Sequence, residues 1–300
     1  MLAKEFLRFL SFFILLSLLS IALVRLRAVD KAYQYTDSGL SESAIKELSS
    51  QNSYLEDLQD LYGYLFLLKE GKTESGENVL SHLGERIFPT IQISILAILF
   101  GVFTSIGFSL YFLDSPRALK AIDFFSKLML STPIFIFSLF LLILFFYKWE
   151  LLPPGGYEFG SFSYLILPSL SLGVRVYARL QLYLSSQAKI ELETPLFKLL
   201  ETRGIPRNII LFKNLFPKLL PTFIVLVILD LGSLLSGAMV VEEIFFFPGI
   251  GRSLYYAIKS MDQALLSVLL VYTGSMIYGM NRAALIYQDS KNSLLAGKSK

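Results

Sequence analysis

From Ile87 to Leu113 the chain carries no charged side chain. A bilayer core is about 30 Å thick and takes roughly 20 apolar residues of helix to cross. In lipid the backbone must satisfy its own N–H and C=O groups, so a run of this kind has to be a transmembrane helix. Five further stretches are candidate spans: Phe9–Val24, which is a little short, Leu128–Tyr147, Ser161–Ser185, Leu219–Val241 with Asp230 inside it, and Gln263–Tyr287 with Arg282 near its end. The fourth of the six is the most polar, because Arg175 and Arg179 interrupt it. Pro133 lies inside the third, where neighbouring helices can make up the lost backbone bond. The expectation is an all-α, polytopic membrane protein with six transmembrane helices. A content of 54% hydrophobic residues in 300 places the chain in the same class.

Several function classes drop out. The net charge is only +3, and the basic residues sit in loops, which suits membrane orientation rather than nucleic acid. The absence of Cys removes disulfides, thiolate metal sites and cysteine nucleophiles. His82 is the sole histidine and reads as an ordinary polar residue near a membrane surface. No Gly-x-x-x-x-Gly-Lys-Ser/Thr run occurs, so the chain holds no P-loop. Lys4 and Arg8 before an apolar run resemble a signal peptide. Arg25 and Arg27 follow at once, however, without a small-residue cleavage site, which favours an uncleaved anchor over residues 1–25.

Lys and Arg in the short loops set the expected orientation. Lys4 and Arg8, then Arg117, Lys120 and Lys127, a basic island between spans four and five, and Lys291, Lys298 and Lys300 fall on one side. The opposite side has Lys148, Arg252 and Lys259. The first side is therefore read as cytoplasmic, with both termini inside, although Arg25, Arg27 and Lys31 dissent. Residues 26–86 then form an extracytoplasmic segment with helical spacing over Ser43–Leu68 (Ile45, Leu48, Leu55, Leu58, Tyr62). Residues 87–290 form the core and 291–300 a cytoplasmic tail.

The island, residues 186–218, sets Lys189, Lys198, Arg203, Arg207, Lys213 and Lys218 against Glu191, Glu193 and Glu201. A helix over Leu196–Arg203 is expected to stop at Gly204 and Pro206, with a second polar helix leading into span five. Taken alone it reads equally as a solvated connector or as a segment gripped by another protein. After span five comes Gly237-Ala-Met-Val-Val-Glu242-Glu-Ile-Phe-Phe-Phe247-Pro248-Gly249-Ile-Gly251-Arg252. It combines a helix end, a Glu pair, an aromatic patch and a Pro-Gly turn.

These two segments carry a resemblance. The island is similar to the cytoplasmic EAA-type loop in permease subunits of binding-protein-dependent ABC importers. Arg203-Gly204-Ile205-Pro206 and Pro221 fill the places typical of the oligopeptide/dipeptide/nickel branch, while Leu199-Leu200-Glu201-Thr202 replaces the usual alanine-rich approach. The second segment is similar to that branch's Gly-Ala-Val-Val-Val-Glu-x-x-Phe-x-x-Pro-Gly-Leu-Gly-Arg stretch. Glu85-Arg86-Ile87-Phe88-Pro89-Thr90, Ser131-Thr132-Pro133, Leu152-Pro153-Pro154-Gly155, Leu167 to Gly173, and Ala257-Ile258 with Asp262 add to the likeness.

The resemblance implies a type I ABC importer permease fold in a bacterial cytoplasmic (inner) membrane. It implies work with a second homologous permease, two ATP-binding subunits, an extracytoplasmic solute-binding protein and the lipid bilayer. No cofactor and no nucleic acid are expected, and ATP hydrolysis would lie in the separate partners. Leu200, Glu201, Thr202, Arg203, Gly204, Ile205 and Pro206 would couple to the ATPases. Residues 242–262 would form a re-entrant loop by the translocation path, with Glu242, Phe247, Pro248, Gly249 and Gly251 at the path. Cargo would be peptides or a similar small solute.

Polar residues inside the spans have two readings each. Asp230 is either a path-lining acid for cationic or N-terminal amine groups of cargo, or a helix-to-helix hydrogen-bond partner, as the protonated acid or paired with an Arg. Arg175 and Arg179 share a helix face and either snorkel to the interface or reach a cavity. Gly232, Ser233, Ser236 and Gly237 form small-x-x-x-small pairs for packing within this subunit or against a second permease. Two rivals stand beside the main reading. One is a permease of another ABC importer branch. The other is an intramembrane hydrolase built on Ser233 or Ser236, for which His82 lies on the wrong side of the membrane and no Lys base is present.

Overall fold

The computed structural model describes residues 2–37, 53–66, 68–236 and 238–297. Among them there is no β-strand, only an isolated bridge between Lys72 and Asn78. The helices are α1 (Leu2–Asp37), α2 (Tyr54–Leu65), α3 (Val79–Tyr111), α4 (Pro116–Ser131), α5 (Ile134–Lys148), α6 (Ser163–Leu192), α7 (Pro195–Thr202), α8 (Arg207–Leu235), α9 (Met239–Ile244), α10 (Ile250–Ser260) and α11 (Gln263–Gly297). The chain folds as two compact units. One takes in Met1–Thr90, Ser236–Met239 and Pro248–Gly279, and the other Ile91–Leu235, Val240–Phe247 and Met280–Lys300.

Among the described residues four helices are long and apolar enough to cross a membrane, α1, α3, α8 and α11, and α4 with α5 gives a fifth crossing by length and composition if the two count as one bent span. The expected third span differs from the expectation of one helix. Leu128–Tyr147 is split at Thr132–Pro133, where α4 and α5 meet at 103°. Thr132 is extended (φ −77°, ψ 128°), as the ring of a following proline requires. No neighbour restores a straight helix there. The fourth expected span is one continuous 30-residue helix, α6. It is less apolar than the others because much of it is covered by protein: Ser169, Ser171, Gln181 and Ser185 are buried along it. The fifth begins earlier than read. The polar helix after the island and the span are a single α8, with a π-helical stretch at Ile210–Leu215 and Pro221 inside.

In the first unit α1 packs on α11. Phe12 stacks on Tyr278 with ring centroids 4.2 Å apart, and Gly274 leaves room for Leu16, which a Cβ would approach to 2.7 Å. Helix α2 is the described part of the helix expected over 43–68; residues 43–52 lie outside the described residues. It is held to α1 by Tyr54 Oη, which donates to the Leu18 carbonyl at 2.5 Å, and by Arg25 Nε on Asp57 at 2.7 Å. That pair explains one dissenting cation, since Arg25 has a local carboxylate partner. The core of this unit gathers Ile21, Val24, Leu61, Val79, Ile250 and Leu269.

In the second unit the core gathers Leu119, Val176, Leu180, Leu184, Phe197, Leu215 and Phe223. Two glycines bring α3 and α6 together. A Cβ on Gly101 would sit 2.5 Å from Val176 Cγ1 and 2.9 Å from the Tyr177 backbone nitrogen. One on Gly173 would sit 3.0 Å from the Ala97 carbonyl oxygen. Close backbone approach of this kind is how membrane helices gain packing energy without a hydrophobic drive. Ser109 Oγ donates to Gln181 Oε1 at 2.9 Å across the same interface. Gly173→Leu is therefore expected to destabilise the protein by about 1–3 kcal/mol through overpacking, read as a lower melting temperature in detergent. An unchanged melt would show that the contact can relax.

Candidate functional site

Helix α7 is the island's centre, and it lies one residue toward the N-terminus of the expected Leu196–Arg203: it starts at Pro195 and ends at Thr202. Proline is suited to the first helical turn, where its missing N–H costs nothing. One face is anchored by Phe197, buried in the unit's core, while Leu196 and Leu199 are exposed. The far end closes in a Schellman motif. Gly204 N–H donates to the Glu201 carbonyl at 3.0 Å and Ile205 N–H to the Leu200 carbonyl at 3.3 Å. Leu200 and Ile205 pack on the same core, which supplies the apolar contact that accompanies this cap. Gly204 has φ +72°. Pro206 then caps the start of α8.

Ion pairs tie this segment to the rest of its unit. Arg207 Nη1 reaches Glu201 Oε1 at 2.5 Å, and Arg207 Nη2 reaches Asp114 Oδ1 at 2.6 Å. Glu201, expected as an anchor for a partner, is thus engaged within the chain. Asp114 lies in the α3–α4 turn. The sequence reading missed both Asp114 and the linking role of Arg207, because their partnership crosses a long stretch of chain. Lys189 meets Asp123 at 3.1 Å, and Lys218 meets Glu191. Each pair is at least partly exposed and individually worth little. Thr202 and Arg203 face solvent.

Deeper in the same unit, Arg179 Nη1 lies 2.5 Å from Asp230 Oδ1. The Asp230 side chain is 5% exposed and that of Arg179 is 49% exposed. The pair joins α6 to α8. It corresponds to the Arg-partnered reading of Asp230, and Asp230 Oδ2 has no hydrogen-bond partner. Gly232 sits two residues on, where a Cβ would approach Met280 Cβ to 2.6 Å. This small residue therefore packs α8 on α11 within the chain. Ser233 is exposed, Ser236 is half-buried, and Gly237 lies outside the described residues.

The segment expected to re-enter the membrane folds as α9, a tight turn and α10. Glu242 and Phe247 belong to the second unit and are fully buried. Phe247 N–H donates to the Glu242 carbonyl at 2.7 Å, and Phe247 meets Tyr157 edge to face at 5.4 Å. Gly155 explains part of the Pro-Pro-Gly stretch. A Cβ there would fall 2.1 Å from the Phe245 carbonyl oxygen, the same oxygen that accepts from Gly156 N–H at 2.7 Å.

Pro248, Gly249 and Gly251 belong to the first unit. Gly249 caps α10, and Ile250 N–H donates to Thr90 Oγ1 at 3.0 Å. Asp262 Oδ2 accepts from Glu74 N–H at 2.7 Å and its Oδ1 from Leu265 N–H at 3.0 Å, tying the loop before α3 to the start of α11. His82 is more than an isolated surface residue: its Nδ1 lies 2.8 Å from Glu77 Oε2 and its Nε2 3.2 Å from Ser253 Oγ. The hydrogen bond from His82 holds the Glu77 carboxyl below its usual range. Among the described residues no group of three or more His, Cys, Asp or Glu is placed to hold a metal ion.

Long apolar helices, a partly exposed helix closed by a left-handed glycine between two of them, and a Pro-Gly turn between α9 and α10 describe a polytopic membrane protein. The chain belongs to the family of binding-protein-dependent transport system inner membrane components, matched over residues 97–289. It is an ABC importer permease of the oligopeptide/dipeptide/nickel branch. It is 24% identical over 220 residues to a probable peptide ABC transporter permease protein of Sinorhizobium fredii, covering 69% of each chain. It is 28% identical to an oligopeptide transport system permease protein of Haemophilus influenzae over 51% of this chain and 50% of that one. A nickel import system permease protein of Staphylococcus aureus is 30% identical over 60% of this chain and 54% of its own length. The chain thus matches between about half and two thirds of these relatives' length.

Proposed function

We propose that this chain is one of two permease subunits of a peptide importer, driven by two separate ATP-binding subunits and fed by an extracytoplasmic solute-binding protein. The observation that carries the reading is α7. It is a short helix with one buried anchor, Phe197, with exposed Leu196 and Leu199, and with a cap that holds its end rigid. A helix laid in a partner's groove by a few apolar anchors is a common recognition mode. ATP-driven closure of the ATPases would displace α7 and rock the attached spans between outward and inward access. Both termini and α7 are then cytoplasmic, and residues 26–86 and 242–262 extracytoplasmic. The names of two of the relatives above favour peptides as cargo; the nickel permease likeness supports a second reading.

The test is reconstitution of the full assembly in proteoliposomes with labelled dialanine and, separately, with nickel. ATP-dependent dialanine uptake is the expected result. Uptake of nickel alone would replace the cargo, and ATP-independent flux of either would remove the ABC mechanism.

A further inference from the structure

The first unit holds a cavity of about 580 Å³, lined by residues of the loop before α3, the start of α3, and α10. Arg86, Arg252 and His82 bring cationic or hydrogen-bonding groups to its wall. Arg86 stands out. Its Nε is buried without a hydrogen-bond partner, and among the described residues the guanidinium has no close ion pair. A guanidinium has five donors in a planar fork, and a buried donor left unused is costly. Arg252 lies over the Tyr256 ring at 5.4 Å, which keeps its head at the cavity rim. His82 is fixed between Glu77 and Ser253, so with Nδ1–H given to Glu77 its Nε2 accepts from the serine. Asp262, the buried acid at the wall, spends both oxygens on backbone N–H groups. Glu74 also lines the cavity from its exposed rim, and Glu77 lies close enough for its carboxyl to feel the Arg86 charge, but neither carboxylate forms a close ion pair with the Arg86 guanidinium among the described residues.

We propose that this cavity binds the carboxylate of a small soluble solute, with Arg86 as its principal partner. Resting on the importer reading above, that solute is peptide cargo presented by its free C-terminus on the outer side. The chemistry favours a planar carboxylate, which an Arg fork meets with two parallel bonds. The volume lies within the range of small-ligand sites and accommodates a di- or tripeptide end. A Glu77–His82–Ser253 order also resembles a hydrolase relay. Glu77, however, is 58% exposed, whereas the orienting acid of such a relay is buried, so these residues are assigned a scaffolding role for the wall.

The test uses the purified permease in nanodiscs of zwitterionic lipid, titrated with dialanine and with dialanine amide. Dialanine is expected to bind, and the amide at least about tenfold more weakly, the loss of a charge-assisted fork. Arg86→Gln is expected to lower dialanine affinity by about the same factor, with Arg86→Lys in between because an ammonium offers a point charge rather than a fork. Lys259→Gln, an exposed cation outside the cavity, should leave affinity unchanged, and each variant's melt is recorded to confirm folding. Equal binding of dialanine and its amide, no binding of either, or an Arg86→Gln variant that binds like the parent overturns the proposal. Displacement of dialanine by nanodiscs containing phosphatidylglycerol also overturns it, by assigning the site to a lipid headgroup. ATP-driven dialanine uptake by the full assembly is scored separately. Normal uptake beside unaltered Arg86→Gln binding removes this site and leaves the importer standing, whereas binding without any uptake does the reverse.

Discussion

If α7 couples to separate ATPases as proposed, replacing Gly204 with valine is expected to stop ATP-driven uptake while ATP hydrolysis continues, and replacing it with asparagine is expected to leave most of the uptake in place. The reason is torsional. Nothing lies within 4 Å of the position a Cβ would take, yet φ is +72°. An L-residue in that region costs about 1–2 kcal/mol, and a β-branched one more, whereas Asn adopts it comparatively readily. The valine variant therefore keeps its space but loses the conformation that lets Gly204 and Ile205 donate back into α7. An eight-residue helix has little intrinsic stability, so fraying its last turn separates α7 from the start of α8. Uptake and phosphate release measured in the same vesicles decide the matter. Parallel loss of both would signal failed assembly, and normal uptake by the valine variant would remove the coupling role from this segment.

Arg179→Met should cost more stability than Asp230→Asn, and the double change Arg179→Met with Asp230→Leu should restore most of what either loses. Asp230 is almost fully enclosed, so deleting Arg179 strands a carboxylate at a cost of about 3 kcal/mol. Arg179 is half exposed, and without Asp230 it can turn its long side chain toward the interface. An apolar pair of similar volume removes both charges and both desolvation terms. Unfolding in mixed micelles of the parent, Arg179→Met, Asp230→Leu and the double variant closes the cycle and gives the coupling energy directly. Additive losses would mean that the two groups act independently. The same Asp230→Asn protein also tests the path-lining alternative, which requires uptake of cationic cargo to fall more than uptake of neutral cargo.

Local features were the legible ones. The ends of α7 lay within a residue of the expectation because Pro195, Gly204 and Pro206 act through their own backbone chemistry. The uncharged run from Ile87 likewise announced α3. Features that depend on distant partners were not legible. His82 meets Ser253, and Arg207 meets Asp114, only after the chain has folded. The split at Thr132–Pro133 could not be told from a tolerated proline, since the outcome rests on whether neighbours repair the helix. Gly101 and Gly173 carry a signal, small residues inside apolar spans, but an isolated glycine is a weaker one than the dense cluster around Gly232. Of that cluster, Gly232 lies against Met280.

The elbow between α4 and α5 also fixes an even-or-odd question. Fifteen residues of helix from Ile134 to Lys148 extend about 22 Å, less than the roughly 30 Å of hydrocarbon. The remaining depth has to come from α4, whose Arg117, Lys120, Asp123 and Lys127 favour the water boundary. If the elbow threads through once, then α1, α3, α6, α8 and α11 bring the tally to six, and the two chain ends share a compartment. If it dips in and returns, the tally is five and the ends part company. Protease access to tags at the two ends, compared in sealed and inverted vesicles, reads that parity without reference to any cargo.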